Sequence, residues 1–462
     1  MTKLKNDIIP KSPHLISTGN DDKLDLKAIC IFAAIGFFLD QDTFWLNKKV
    51  LPAASINELS SNNTLEKSKT YFEWHYTPRE LAFSDAVDEF SVLFETIISE
   101  QTSGKKVILP LSGGLDSRTQ AAALKYLNAD VSAYSYEYEN GFAESKIAQQ
   151  VADVCGFDFH SYKIKKGYLW ERLDELVKLN QCYSDFTSPR QMAISEKFSS
   201  LGDVFSLGHW GDVLFDSYGL NEIPHDEQVQ FLSQKLLKRN GLQFAEDLWA
   251  SWGIKGDFKS YFLKRISDAL GTIDIDNTNA RLRAFKSKFW APRWTSVNLS
   301  IFENSKSITL PYYDNRMCEF ICTIPEDYLN DRKIQIEYIK RRNPELAKLM
   351  WQDKRPYNLY NYRAPNSLKT IRYKISNKLN RGILRLTGQK YIQRNWELQF
   401  LGEANNAELR DVLLESKLSK FISKPVIDKY LNGFYSGEEL KNAHPLNMLL
   451  VLAKFNQTQN HG

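Results

Sequence analysis

The stretch Val107-Ile108-Leu109-Pro110-Leu111-Ser112-Gly113-Gly114-Leu115-Asp116-Ser117 decides the fold. Its first five residues form a continuous apolar run, two glycines follow at once, and a helical pattern begins directly after them. Strand, tight loop, helix is the order. Upstream, Phe83, Ala86, Val87, Phe90, Leu93, Phe94, Ile97 and Ile98 keep spacings of three and four, which predicts a helix ending near Ser103-Gly104. Downstream, the pattern predicts strands at 131–136, 158–164 and 204–207 and a helix at 144–155. Strands alternating with helices at this spacing imply an α/β fold with a doubly wound parallel sheet. Beyond about residue 218 the strand signals fade and long amphipathic stretches dominate, so a mainly helical C-terminal region is expected.

A chain of 462 residues exceeds one ordinary core and favours two or three domains. The divisions expected are 1–79, 80–220 for the α/β domain, and 221–462 for the helical part. Apolar residues make up 43% and charged residues 25%, as in a soluble globular enzyme. A net charge of +4 offers no strongly basic face, so no nucleic-acid partner is expected. The start lacks a signal-peptide core. The longest apolar run, 28–39, is twelve residues, too short for a bilayer span of about 18 or more, and reads as a buried strand or helix. Five scattered cysteines without CxxC spacing point to a reduced, cytoplasmic compartment. Leu368, Ile371, Ile375 and Leu379 keep helical spacing among Lys369, Arg372, Lys374, Lys378, Arg381 and Arg385, which reads as a solvated helix face.

Binding a polyphosphate requires inward-pointing backbone N–H groups, close approach of main chain to phosphate oxygens, and the positive end of a helix dipole. Gly113 and Gly114 permit the approach, and Ser112 and Ser117 add hydroxyl donors. Asp116 would repel phosphate unless a divalent cation lay between them. The loop therefore predicts a polyphosphate ligand with a divalent cation such as Mg²⁺.

Ser112-Gly113-Gly114-Leu115-Asp116-Ser117 resembles the signature of the ATP pyrophosphatases, shared by asparagine synthetase, GMP synthetase, NAD synthetase and several tRNA-modifying enzymes. Further segments resemble the asparagine synthetase branch, class B. These are Glu144-Ser145 with Ala148, Val151-Ala152 and His160; Gly208-His209-Trp210-Gly211-Asp212-Val213-Leu214-Phe215; Pro311-Tyr312-Tyr313-Asp314-Asn315-Arg316; and Trp351-Gln352-Asp353-Lys354. They keep the family order over roughly 80–360.

The resemblance implies an ATP-dependent amide ligase that activates a carboxylate as an acyl-adenylate, releases pyrophosphate and transfers the acyl group to ammonia or an amine. By position, Ser112, Gly113, Gly114, Leu115, Asp116, Ser117 and Gly208 would bind ATP or pyrophosphate, and Asp116 and Asp212 would hold Mg²⁺. Lys354 would stabilise developing negative charge, and His209 is the candidate base. Where the family loop carries acidic residues, this chain has His209 and Val213, so a non-catalytic nucleotide-binding homologue is the competing reading. Position 2 is Thr2, where glutamine-dependent relatives present a cysteine, and the first 79 residues read as a tail with the remnant of a glutaminase module. A separate ammonia-supplying glutaminase and a small-molecule or peptide carboxylate are the partners this implies.

Overall fold

The computed structural model describes residues 2–6, 11–19, 22–364 and 391–460; the basic pattern expected at 368–385 lies outside them. The N-terminal part contains β1 (Lys3–Leu4), β2 (Leu15–Ser17), α1 (Leu26–Ile35), β3 (Lys48–Val50), β4 (Ser55–Leu59) and β5 (Leu65–Thr70). Strands β1, β4 and β5 form one small sheet and β2 pairs with β3. Next come α2 (Phe83–Thr102), β6 (Val107–Pro110), α3 (Leu115–Tyr126), β7 (Val131–Tyr138), α4 (Ser145–Cys155), β8 (Asp158–Ile164), α5 (Tyr168–Asn180), β9 (Val204–Ser206) and β10 (Ser307–Thr309).

The central sheet has the order β10-β9-β6-β7-β8, and every pairing is parallel. From β6 the chain adds β7 and β8 on one side, then returns to place β9 and β10 on the other. That reversal opens a crevice beyond the C-terminal ends of β6 and β9, where ligands bind in open α/β sheets. Parallel sheets are covered on both faces, and β6 shows how. Val107 and Leu109 enter one hydrophobic core together with residues of α2, α3 and α4. Ile108 enters the other core with α1, α5 and the late helices.

From Gly211 onward the described chain is mainly helical, with β10 as its strand of the central sheet. Strand β10 lies past the point where strand signals fade, because three residues are too few to display a period. The apolar run 28–39 is largely helix α1, buried at every residue from Ala28 to Ile35. It packs against the helix Gly241–Ser251, where a Cβ on Gly241 would collide with the Ala34 carbonyl oxygen. Phe44 stacks on Phe455 at 3.8 Å, so the N-terminal part and the last helix share one core.

Candidate functional site

Two loops converge at the crevice. The first follows β6. Ser112 N–H donates to Ser117 Oγ (3.1 Å) and Gly114 N–H to Ser112 Oγ (3.2 Å), which fixes the turn. Gly114 starts α3 without a side-chain cap, leaving first-turn N–H groups for another acceptor. The second loop follows β9 and presses its backbone onto Asp116. A Cβ on Gly208 would lie 3.2 Å from Asp116 Cβ, and one on Gly211 would lie 2.8 Å from its Cγ and 2.9 Å from Tyr312. Gly211 therefore requires glycine, while a side chain at Gly208 would be tight and would need Asp116 or Gln120 to shift by a few tenths of an ångström. Between the two glycines Trp210 takes a left-handed φ of 73°, a conformation that costs an ordinary residue on the order of 1 kcal/mol.

Asp116 is the centre. Its Oδ1 accepts from Arg332 and from Gln335 Nε2 (3.2 Å); Tyr312 OH donates to its carbonyl (3.2 Å) and Gln335 also donates to Tyr312 OH (3.0 Å). Arg332 reaches this point because Asp331 and Arg332 both adopt left-handed backbone, φ 55° and 60°. Burial outweighs the Arg332 pairing, and with the repulsion of Asp212 the Asp116 carboxyl is pushed up to about 6. Asp212 lies in the same field: its charge acts on Asp116, His209, Lys286 and Arg332.

His209 packs its ring 6.0 Å from that of Phe302, and its Nδ1 is buried without a partner among the described residues. Burial pushes its pKa down to about 4 against the pull of Asp212, so the imidazole is neutral at pH 7. Lys286 is half-buried, with its ammonium 4.9 Å from the Tyr218 ring and 5.4 Å from that of Trp290. Among the described residues it has neither hydrogen bond nor ion pair. Burial lowers its pKa, opposed by Asp212.

The segment 346–354 runs along the first loop. Arg118, fully buried, donates to the carbonyls of Leu346, Leu349, Met350 and Gly113 at 2.8–3.3 Å. Gln352 bonds Gly113 in both directions, accepting from its N–H (3.0 Å) and donating its own N–H to the carbonyl (3.1 Å). Lys354 follows as an exposed residue, its ammonium 5.9 Å from the Trp351 ring centroid. Beside the loop, a cavity of about 240 Å³ is lined by Tyr136, Tyr138, Phe142, Glu144, Arg190 and Arg355. A larger one, about 470 Å³, lies where the N-terminal strands meet the helical half and is lined by Thr2, Asp40, Arg293, Glu303 and Tyr313.

A sequence profile described as asparagine synthase matches residues 91–414, more than half of the chain. The chain belongs to the asparagine synthase family. No curated protein matches it. Among solved structures it is similar to NMN synthetase from Francisella tularensis, at 14% identity and a TM-score of 0.23, covering 45% of this chain and 94% of that one. It is also similar to the U34-tRNA thiolase NcsA from Methanococcus maripaludis with its [4Fe-4S] cluster, at 12% identity and a TM-score of 0.24, covering 68% and 81%.

Within this asparagine synthase domain the structure brings Ser112, Gly113, Gly114, Leu115, Asp116, Ser117, Gly208 and Asp212 around one crevice, with His209 on its second loop. Among the described residues Lys354 makes no hydrogen bond to the loop; its segment is tied there by Gln352, two residues earlier, and by Arg118 at Leu349 and Met350. Arg332, Gln335, Lys286 and Arg118 are the site residues that motif reading missed. Arg332 meets Asp116 across 216 positions, and nothing local in the sequence marks it. Among the described residues no group of three or more His, Cys, Asp and Glu could hold a metal. Asp116 and Asp212 lie within each other's electrostatic field, and Asp116 Oδ1 is paired with Arg332 and Gln335.

Proposed function

We propose that the chain is an ATP-dependent amide ligase. A substrate carboxylate oxygen attacks the α-phosphorus of ATP, the bond to the bridging α–β oxygen breaks, and pyrophosphate leaves. An amine or ammonia then attacks the acyl carbon and AMP departs. The observation that carries this reading is the convergence on Asp116 of two loops from the C-terminal ends of adjacent strands. In it, the N–H groups of the loop 112–117 and the start of α3 hold pyrophosphate, and Asp116 and Asp212 hold Mg²⁺. The cation would neutralise charge on the phosphates and the leaving pyrophosphate. Lys286 supplies a cation on the Asp212 side, suited to the carboxylate substrate. Lys354 acts on the pyrophosphate side.

The nitrogen source in this proposal is free ammonia, an amine, or ammonia from a separate glutaminase. In support, the Thr2 hydroxyl is engaged with the Pro52 carbonyl at 2.6 Å. All five cysteines are buried, and burial pushes the thiols up, Cys155 and Cys182 to about 12 and Cys322 to about 11, so none supplies a thiolate at neutral pH. No described helix is long and apolar enough to cross a membrane; a cytoplasmic location is part of the proposal.

The test is product analysis with Mg·ATP, ammonium and a panel of small-molecule and peptide carboxylic acids. AMP and pyrophosphate in equal amounts, dependent on one acid, are expected; ADP and phosphate would exclude the mechanism. Lys354→Ala should slow AMP formation by about 10²-fold, the scale of one lost electrostatic stabiliser, with ATP affinity little changed. The exposed position of Lys354, together with His209 and Val213 where acidic residues are expected, favours a second reading, a non-catalytic nucleotide-binding homologue. That reading predicts binding of Mg·ATP without AMP for any acid and no effect of Lys354→Ala.

A further inference from the structure

Gln352 makes an unusual use of the loop that follows β6. The amides of Ser112 and Gly114 are satisfied inside the loop, by Ser117 Oγ and Ser112 Oγ. The amide between them, Gly113 N–H, points instead to Gln352 Oε1 at 3.0 Å, a residue 239 positions away. The other end of the same side chain is also committed, with Nε2 donating to Glu144 Oε1 at 2.6 Å. The approach is close: a Cβ on Gly113 would lie 2.8 Å from Gln352 Oε1 and 2.9 Å from Gln352 Cβ. Upstream, Arg118 fastens the carbonyls of Leu346, Leu349 and Met350 and reaches Gly113 O as well. The segment 346–354, a strap along the loop, is thus pinned on its upstream side by a buried guanidinium and at Gln352 by its main-chain N–H on the Gly113 carbonyl, together with a neutral side chain free to exchange partners.

A carboxamide oxygen accepts from a main-chain N–H in the way a phosphate oxygen does, but hydrogen bonds to an ionised acceptor are roughly twice as strong as neutral ones. A polyphosphate entering the loop would therefore compete successfully for Gly113 N–H. We propose that Gln352 is a positioning residue whose side-chain oxygen holds the Gly113 amide in place of a phosphate oxygen and gives it up when a polyphosphate binds. This rests on the phosphate-binding reading of the loop. Release of Gln352 also frees Glu144 from its donor, and Glu144 lines the cavity that Arg355 lines. Loop occupancy is thereby coupled to the part of the strap that bears Lys354 and Arg355.

The experiment uses the full chain, with Mg·ATP and inorganic pyrophosphate as probes in calorimetric titrations, and hydrogen exchange of the amides at 351–354. Gln352→Met keeps the stem and removes the competing acceptor. It should bind both probes about 2- to 10-fold more tightly, the worth of one net hydrogen bond. Gln352→Glu puts a negative charge where the phosphate goes and should weaken both by more than about 10-fold. In the wild type, pyrophosphate should speed exchange at 351–354; in Gln352→Met exchange should be fast beforehand and change little. Should Gln352→Met fold poorly, Gln352→Ala, which carries no side-chain acceptor, is expected to behave the same way. If the wild type binds pyrophosphate but the shortened or acceptor-free variants bind it no better, and exchange does not respond, Gln352 is an ordinary packing contact and the proposal falls. If the wild type binds neither probe, the phosphate-loop reading itself fails and takes the proposal with it.

Discussion

Asp116 shows how much environment one carboxylate gathers before any ligand arrives: a guanidinium, a carboxamide and two glycine backbones surround it. Its proposed role as a cation holder predicts that Asp116→Asn lowers Mg·ATP-dependent AMP formation by at least about 10²-fold, with a cooperative melt retained. Its raised pKa predicts a second effect in the ligand-free protein. With a folded value of about 6 against an ordinary 3.8, the protonated form is favoured in the native state. The resulting stability is fully present below pH 3.8 and is lost as pH rises through 6. The melting temperature of Asp116→Asn relative to wild type should therefore climb between pH 4 and 7, on the order of 3 °C. Two half-buried histidines act with the opposite sign. His209 and His444 are both pushed from 6.5 down to about 4 by burial. Their contribution is present above pH 6.5 and is lost as pH falls through 4. His444→Gln should flatten the acid-side loss of stability by roughly 3 kcal/mol, read by urea denaturation at pH 4.5 and 7.

At the scale of elements, the site depends on a four-residue helix start, Gly211–Leu214, lying against the N-terminus of α3. Gly211→Ala places a methyl group on Asp116 and Tyr312, so one of the loops must retreat. Misplacement of about 1 Å is expected to cost roughly 10²-fold in rate, and because Trp210 and Leu214 of the same loop enter a hydrophobic core, the melting temperature should fall as well while the melt stays cooperative. AMP formation and thermal shift, measured together, separate this from general unfolding. The phosphate-type loop was legible in sequence because strand, turn and helix are contiguous and each has its own local signal. The Gly208 and Gly211 pair was legible only as a resemblance, since the reason for glycine there is an element that lies far away in the chain.

For the whole molecule, α1 and the segment after it are structural members of the helical half. Phe32, Phe38, Phe44 and Tyr183 form ring contacts at 4.4–5.6 Å, and Phe44 bridges to Phe455. Phe44→Ala should therefore destabilise the entire helical core, by about 3–5 kcal/mol, seen as one shifted transition in urea rather than as loss of a separate N-terminal unit. The sequence by itself determined the parallel α/β sheet through β6, β7, β8 and β9, the loop 112–117 that ends β6, and the helical character of the C-terminal half. Each of these is set by apolar periodicity and by glycine within a few neighbouring residues. Only the tertiary structure decided that Arg332 and Gln335 hold Asp116, that Gln352 takes the Gly113 amide, that Lys286 stands near Asp212 without an ion-pair partner among the described residues, and that α1 packs against the helix Gly241–Ser251. These contacts join positions about two hundred or more residues apart, or depend on burial that no local pattern encodes, because they arise from how sheet order and helix packing bring distant loops to the same end of the sheet.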